Sequence, residues 1–382
     1  MVAPETMFTF LYDELEARDA AGFVHVGDRF DDTLRYLTRF SGSDDRYAFV
    51  FVGGDAILCA PDGFERQARR EFTGDYVYTP EDLRADTPGG RAVEVLAAYD
   101  ADGTVLVPQD VPHDAAVRLE RAGFEVASTD VVARERVVKD PEEIEALRKA
   151  QAAATAGMRR AETVLAAADA DGADDALQYE GERLTTTHLR HEVDAAVVRE
   201  GALPRENTVV AAGGACTDRH FRGDVPVRSG ETVVVALAPR GPHGYHGALT
   251  RTFVVDSDGG WERRAFLAVE SAQQAGLDEL AGGADASLVH EETAAEIGAY
   301  GFPAGYGDTG FTHGAGYGVG VSRRESPDLR DDTRLEPGTV LAIEPGVYDP
   351  SEGGVRLGDL VVVTDDGFEF LGEYPRSFTP RA

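Results

Sequence analysis

Apolar residues in the first third of the chain arrive in short runs, "YAFVFVGG", "DAILCA" and "GTVLVP", separated by stretches of helical periodicity. Runs of four to six apolar residues alternating with helices predict an α/β domain with a mixed or parallel sheet. The opening "MVAPETMFTFLYDELEARD" predicts an amphipathic helix; it lacks a basic leader and meets Asp13 and Glu14 early, unlike a signal peptide. Near residue 136 the texture changes. In "RVVKDPEEIEALRKAQAAATAGMRRAETVLAAA", Asp140 before Pro141 reads as an N-cap followed by proline at the first helical position. Ile144, Leu147, Ala154 and Met158 then share one helical face.

This long helix opens a second domain, giving predicted boundaries of 1–135 and 136–382. Two more helices are predicted in "TTTHLRHEVDAAVVREG" and "GWERRAFLAVESAQQAGLDELAGG". The strands here come in pairs. "ETVVVALAP" and "ALTRTFVVD" flank "RGPHGYHG", and "TVLAIEPGVYD" and "GGVRLGDLVVVTDDG" flank "PSEGG". Two hairpins backed by long helices predict an α+β second domain rather than a doubly wound sheet.

Charge narrows the partners. Asp plus Glu exceed Lys plus Arg by 69 to 37, a formal charge of −32, and the acids are dispersed along the chain. Such a surface repels nucleic acid and anionic membranes, so neither is expected as a partner. Lys139 and Lys149 are the two lysines; every other cation is Arg. Dispersed acid and scarce lysine predict a protein from a salt-accumulating archaeon, where screening shortens carboxylate repulsion to about 3 Å. The alternative is an acidic protein from a GC-rich genome. Cys59 and Cys216 lie far apart, outside any disulfide or zinc-knuckle spacing. No window approaches a membrane span, so a cytoplasmic location is expected.

The ordered segments "TLRYLTRFSG", "RVVKDPEEIEALRKA", "VVAAGGACTDRH", "GYHGALTRTF", "HGAGYGVGVSRRESP", "LAIEPGVY" and "GVRLGDLVVVT" resemble the pita-bread family of metallopeptidases and creatinases. The likeness is greatest to Xaa-Pro aminopeptidases and prolidases. It implies an N-terminal α/β domain of the creatinase/prolidase type followed by an α+β pita-bread domain, and a homodimer. Active members of that family hold two manganese, cobalt or zinc ions with two Asp, one His and two Glu. Paired dications need several carboxylates, and in return they activate a shared water and polarise the substrate carbonyl.

Carried onto this chain, those five positions are Ala236, Ala248, Tyr317, Glu344 and Gly358. One carboxylate cannot balance two dications, so no metal cofactor is expected. Asp359 does not substitute for Gly358, because neighbouring strand residues point to opposite faces. The resemblance also places His220, His313, Tyr317, Arg324, Glu344 and Arg356 around the cleft, with Arg251 as a further cation. Arg324, Arg251 and Arg356 have an alternative role, pairing with local acids such as Glu325 and Asp359. His243 and His246, at i and i+3, are read as part of a polar hairpin loop; the alternative is a new zinc site with Glu344.

The function expected first is a non-metallo pseudoenzyme, or binder, that takes a small carboxylate-bearing molecule or short peptide through arginine forks. The alternatives are a creatinase-like hydrolase in which His220, His313 and Glu344 act without metal, an active Xaa-Pro aminopeptidase or dipeptidase, and a scaffolding module.

Overall fold

A computed structural model of the protein describes residues 8–170, 175–305 and 307–381. The chain divides into two compact units, Met1–Arg136 and Val137–Ala382.

In the first unit, the three apolar runs form β2 (Tyr47–Val52), β3 (Asp55–Cys59) and β5 (Thr104–Pro108), joined by β1 (Ala20–Gly27), β4 (Tyr76–Tyr78) and β6 (Glu125–Thr129). They build one mixed sheet in the order β4-β3-β2-β1-β5-β6. β2 is buried at every position because helices or loops cover both faces of the sheet centre. The opening helix runs over Thr9–Ala17 and turns Leu11 and Leu15 inward against Phe23, Phe49 and Phe51.

The second unit is led by the helix Pro141–Ala166. Asp140 accepts from the Glu143 N–H, and the Glu143 carboxylate accepts from the Asp140 N–H, so two backbone donors at the helix start are satisfied together. The other oxygen of Glu143 accepts from the Tyr245 hydroxyl at 2.7 Å in a buried contact. The cap thereby ties the helix to the loop of the first predicted hairpin. Helices Thr186–Arg199 and Trp261–Asp278 also form, together with Ala286–Ala299, which the periodicity analysis did not single out.

A small sheet of β7 (Asp169–Ala170), β8 (Leu177–Tyr179) and β9 (Glu182–Arg183) precedes the main strands. β10 (Val209–Ala212), β11 (Thr232–Leu237) and β12 (Leu249–Val254) form a three-stranded antiparallel sheet, with Ala236 opposite Thr250. The five-stranded sheet takes β13 (Gly316–Gly318), β14 (Glu325–Asp328), β15 (Val340–Ile343), β18 (Asp359–Thr364) and β19 (Gly367–Phe370) in the order β14-β13-β15-β18-β19.

The second predicted hairpin needs correction. It is two ladders, because β16 (Gly346–Asp349) pairs with β17 (Gly353–Arg356) in a separate two-stranded sheet, while β15 pairs with β18. The chain leaves one sheet and enters the other at Glu344-Pro345 on the way out and Leu357-Gly358 on the way back. Pro345 cannot donate to a ladder, which is a local reason for the break. The consequence is functional: Glu344 and Gly358 stand free of regular pairing at the seam. There, Gly358 forms an isolated bridge to Thr250 of the three-stranded sheet.

Candidate functional site

A cavity of about 90 Å³ opens at this seam. Its wall includes Ala236, Ala248, Tyr317, Glu344 and Gly358, together with His220, His313, Arg324 and Arg356. Several elements fix these positions. Gln151 of the long helix donates to the Ala248 carbonyl at 3.0 Å and accepts from its N–H at 2.8 Å, which clamps the end of the first hairpin. Gly247 permits this approach, because a Cβ there would lie 2.7 Å from the Ala150 carbonyl oxygen. Thr250 and Gly358 exchange backbone hydrogen bonds of 3.0 and 2.9 Å.

Glu344 is the hub. Its carboxylate accepts a very short hydrogen bond from the Thr250 hydroxyl and one of 3.0 Å from Tyr317. The Arg356 Nε stands 3.7 Å from the same carboxylate, too long for a hydrogen bond. Burial favours the neutral acid, but the Arg356 charge and the two hydroxyl donors outweigh it. The carboxyl is held below its ordinary value. Arg356 is 7% exposed, and its Nε has no hydrogen-bond partner among the described residues.

Tyr317 makes two contacts in the cavity wall. Beyond its bond to Glu344, its ring carries the Arg324 guanidinium at 4.8 Å from the centroid. Burial first, then the neighbouring Glu344 charge, pushes the phenol well above its usual value, so it remains a donor.

His313 faces the Gly314 carbonyl with Nδ1 at 2.9 Å and the Tyr348 hydroxyl with Nε2 at 3.1 Å. A carbonyl only accepts, so Nδ1 carries the proton and Nε2 accepts from Tyr348. Burial lowers the His313 pKa to about 4. His220 is exposed at the rim; burial of its ring, then Arg323, Arg356 and Arg219, shift it below its ordinary value. Both imidazoles are neutral at pH 7.

Several expectations are revised. Arg251 does not line the cavity; it is fully buried and donates to Asp359 at 2.5 Å and to the carbonyls of Thr250, Gly358, Tyr374 and Pro375. Strand alternation explains this, since Thr250 faces the cavity and its neighbour must face away. The same alternation turns Asp359 toward Arg251 while Gly358 faces Glu344. Arg324 pairs with Asp328 rather than Glu325, whose carboxylate instead meets the buried Lys139 at 2.7 Å. His243 is exposed, whereas His246 is buried, donates toward the Ala238 carbonyl and does not reach Glu344's cavity. Among the described residues, no three His, Cys, Asp or Glu side chains stand together so as to hold a metal ion.

Four polar lining residues escaped the sequence reading: Thr250, Asn207, Arg219 and Arg323. The two arginines adjoin His220 and Arg324 in "DRHFR" and "SRRE", which is the signal that was available.

The model of metallopeptidase family M24 matches residues 145–365. The chain is 32% identical over 253 residues to a probable dipeptidase PepE of Mycobacterium tuberculosis, covering 65% of this chain and 62% of that protein. It is 31% identical over 255 residues to an Xaa-Pro dipeptidase of Pyrococcus furiosus, covering 65% and 66% respectively. It therefore spans less than two thirds of the length of either curated relative. An Xaa-Pro dipeptidase structure from Bacillus anthracis superposes with a TM-score of 0.84 at 21% identity, over 98% of both chains. The two-unit architecture, an α/β unit followed by a pita-bread unit, is shared with that protein.

Proposed function

Starting from a chain that belongs to metallopeptidase family M24, we propose that it works without the family's metal pair and binds a small carboxylate-bearing molecule in the cavity. The observation that carries the reading is the donor set. At the five positions matched to the family's metal ligands, Glu344 alone offers a carboxylate, and Thr250, Tyr317 and Arg356 already engage it. Two adjacent dications bring four positive charges; one carboxylate beside an arginine does not fit them. Arg356, buried and with an unused donor, is the group that would receive a ligand carboxylate.

The −32 charge further supports a protein adapted to high salt, and a homodimer is carried from the family resemblance. Thermal melts in molar potassium chloride test the binding claim. A short-chain carboxylate such as butyrate raises Tm in a concentration-dependent way, and Arg356→Met removes that rise. A Tm unmoved at saturating carboxylate overturns the reading.

A second reading is favoured by one feature, the neutral His220 on the rim of the cavity that holds the ionised Glu344. A metal-independent hydrolase would use His220 as general acid and base while Glu344 orients the substrate. Turnover of a guanidino or amidino acid in metal-free buffer, abolished by His220→Ala, would establish it. The dipeptidase activity in the relatives' names would instead require added manganese or cobalt.

A further inference from the structure

Four arginines line the cavity, in a chain whose formal charge is −32. Their pairing is unequal. Arg356 stands against Glu344, and Arg324 against Asp328, which also takes Arg330. Arg219 and Arg323 make no hydrogen bond or ion pair with any described residue. The acid nearest Arg219 in sequence, Asp218, lies outside the cavity wall and accepts from the His220 N–H at 3.0 Å. The histidines do not change this balance, since His220 and His313 are neutral at pH 7. Two guanidinium charges therefore remain uncompensated, one from the "DRHFR" loop and one from the "SRRE" loop, above the buried Arg356.

A chain this acidic has carboxylates to spare for pairing surface arginines. Leaving two unpaired on one cavity wall matches a ligand that brings the counter-charge itself. We infer that the site takes a dianion, a short dicarboxylate with one carboxylate at Arg356 and the second at Arg219 and Arg323. The inference rests on the carboxylate-binding reading above and adds the ligand's second charge. Arg356 is buried whereas Arg219 is exposed and Arg323 half-buried, so the second oxyanion would sit nearer the surface than the first. That favours two carboxylates on a short carbon spacer over a single phosphoryl group. The cavity's size limits the spacer to a few carbons.

Arg219 is exposed and Arg323 half-buried, so each contact is partly screened and contributes up to about fivefold in affinity. The test is calorimetric titration of the full-length protein in molar potassium chloride with succinate, glutarate, butyrate and inorganic phosphate, supported by thermal melts. The dicarboxylates are expected to bind about tenfold more tightly than butyrate, within the roughly 25-fold that two such contacts allow. Arg219→Ala with Arg323→Ala should bring them down to the butyrate level with Tm unchanged. Arg356→Met should remove all binding. Equal affinity for butyrate and the dicarboxylates overturns the dianion inference and leaves the carboxylate reading standing. Binding of none of them overturns both. Phosphate bound more tightly than either dicarboxylate overturns the two-carboxylate assignment. A double variant with lowered Tm is replaced by Arg219→Gln with Arg323→Gln, which keeps side-chain volume.

Discussion

Replacing Arg356 by methionine isolates the charge balance at Glu344. The Arg356 and Glu344 side chains are 8% and 15% exposed, and their nearest charged atoms lie 3.7 Å apart. At an effective dielectric constant of about 20, that separation corresponds to about 4 kcal/mol of attraction. Removing one partner of a buried pair costs about 3 kcal/mol, because the other charge is left unpaired. At about 2.1 cal/mol/K of unfolding entropy per residue, that is a fall in Tm of about 4 °C for the whole chain and about 6 °C for the second unit alone. The cost is therefore not the loss of Arg356 as such but the stranding of Glu344. Adding Glu344→Gln should recover all but about 1 kcal/mol, since the glutamine oxygen accepts from one of the two hydroxyls and its amide nitrogen donates to the other.

The pH dependence carries the same signature. In the wild type the Glu344 carboxyl titrates below its ordinary value of 4.5. Its contribution is thus complete above that pH and is lost as pH falls through the lower folded value. In Arg356→Met, only the Thr250 and Tyr317 donors oppose burial, so the Glu344 pKa moves up from its wild-type value and protonation relieves the stranded charge at a higher pH. The gap between wild type and variant should be widest near pH 7 and should close toward pH 4. Chemical denaturation of the four members of the cycle in molar potassium chloride, at pH 7 and pH 5, measures this. A single variant costing under about 1 kcal/mol, or a double variant less stable than Arg356→Met, refutes the reasoning.

Other outcomes follow from neighbouring groups. His313 is held neutral with a pKa of about 4 against an ordinary 6.5, so its stabilisation is complete above pH 6.5 and lost as pH falls toward 4. Allowing for its partial exposure, it accounts for about 2 kcal/mol of acid sensitivity, and melts of His313→Gln between pH 7 and 5 should be flatter by that amount. Gly358→Ala would set a Cβ 3.0 Å from the Glu344 Cγ and 3.1 Å from the Thr250 Cβ. It should cost about 1 to 3 kcal/mol by denaturant unfolding and weaken carboxylate binding; a neutral substitution would mean that the seam is looser than described.

How much of this was legible beforehand depended on whether a residue's place is set locally. Asp140 and Pro141 announce a helix start in any context, and the capping box forms there. The alternation of "LTRTF" held enough to turn Arg251 away from the cavity once Thr250 was placed facing it. Pairing of Arg251 with Asp359 was kept as the alternative, because a cation in a family motif was read first as a ligand contact. The split of the second hairpin was hidden because "TVLAIEPGVYD" reads as one continuous strand, and only the pairing of β16 with β17 reveals the change of sheet. Arg219 and Arg323 lie on loops, where no periodicity fixes side-chain direction. Their convergence on Arg356 depends on tertiary placement alone.

Metal content tests the central claim most directly. The folded protein would be loaded with manganese, cobalt or zinc in molar potassium chloride, desalted, and weighed by native mass spectrometry. The account predicts no bound ion per chain and a Tm that the metals leave unchanged. Two ions per chain, with a metal-dependent rise in Tm, would contradict it and return the cavity to peptidase chemistry.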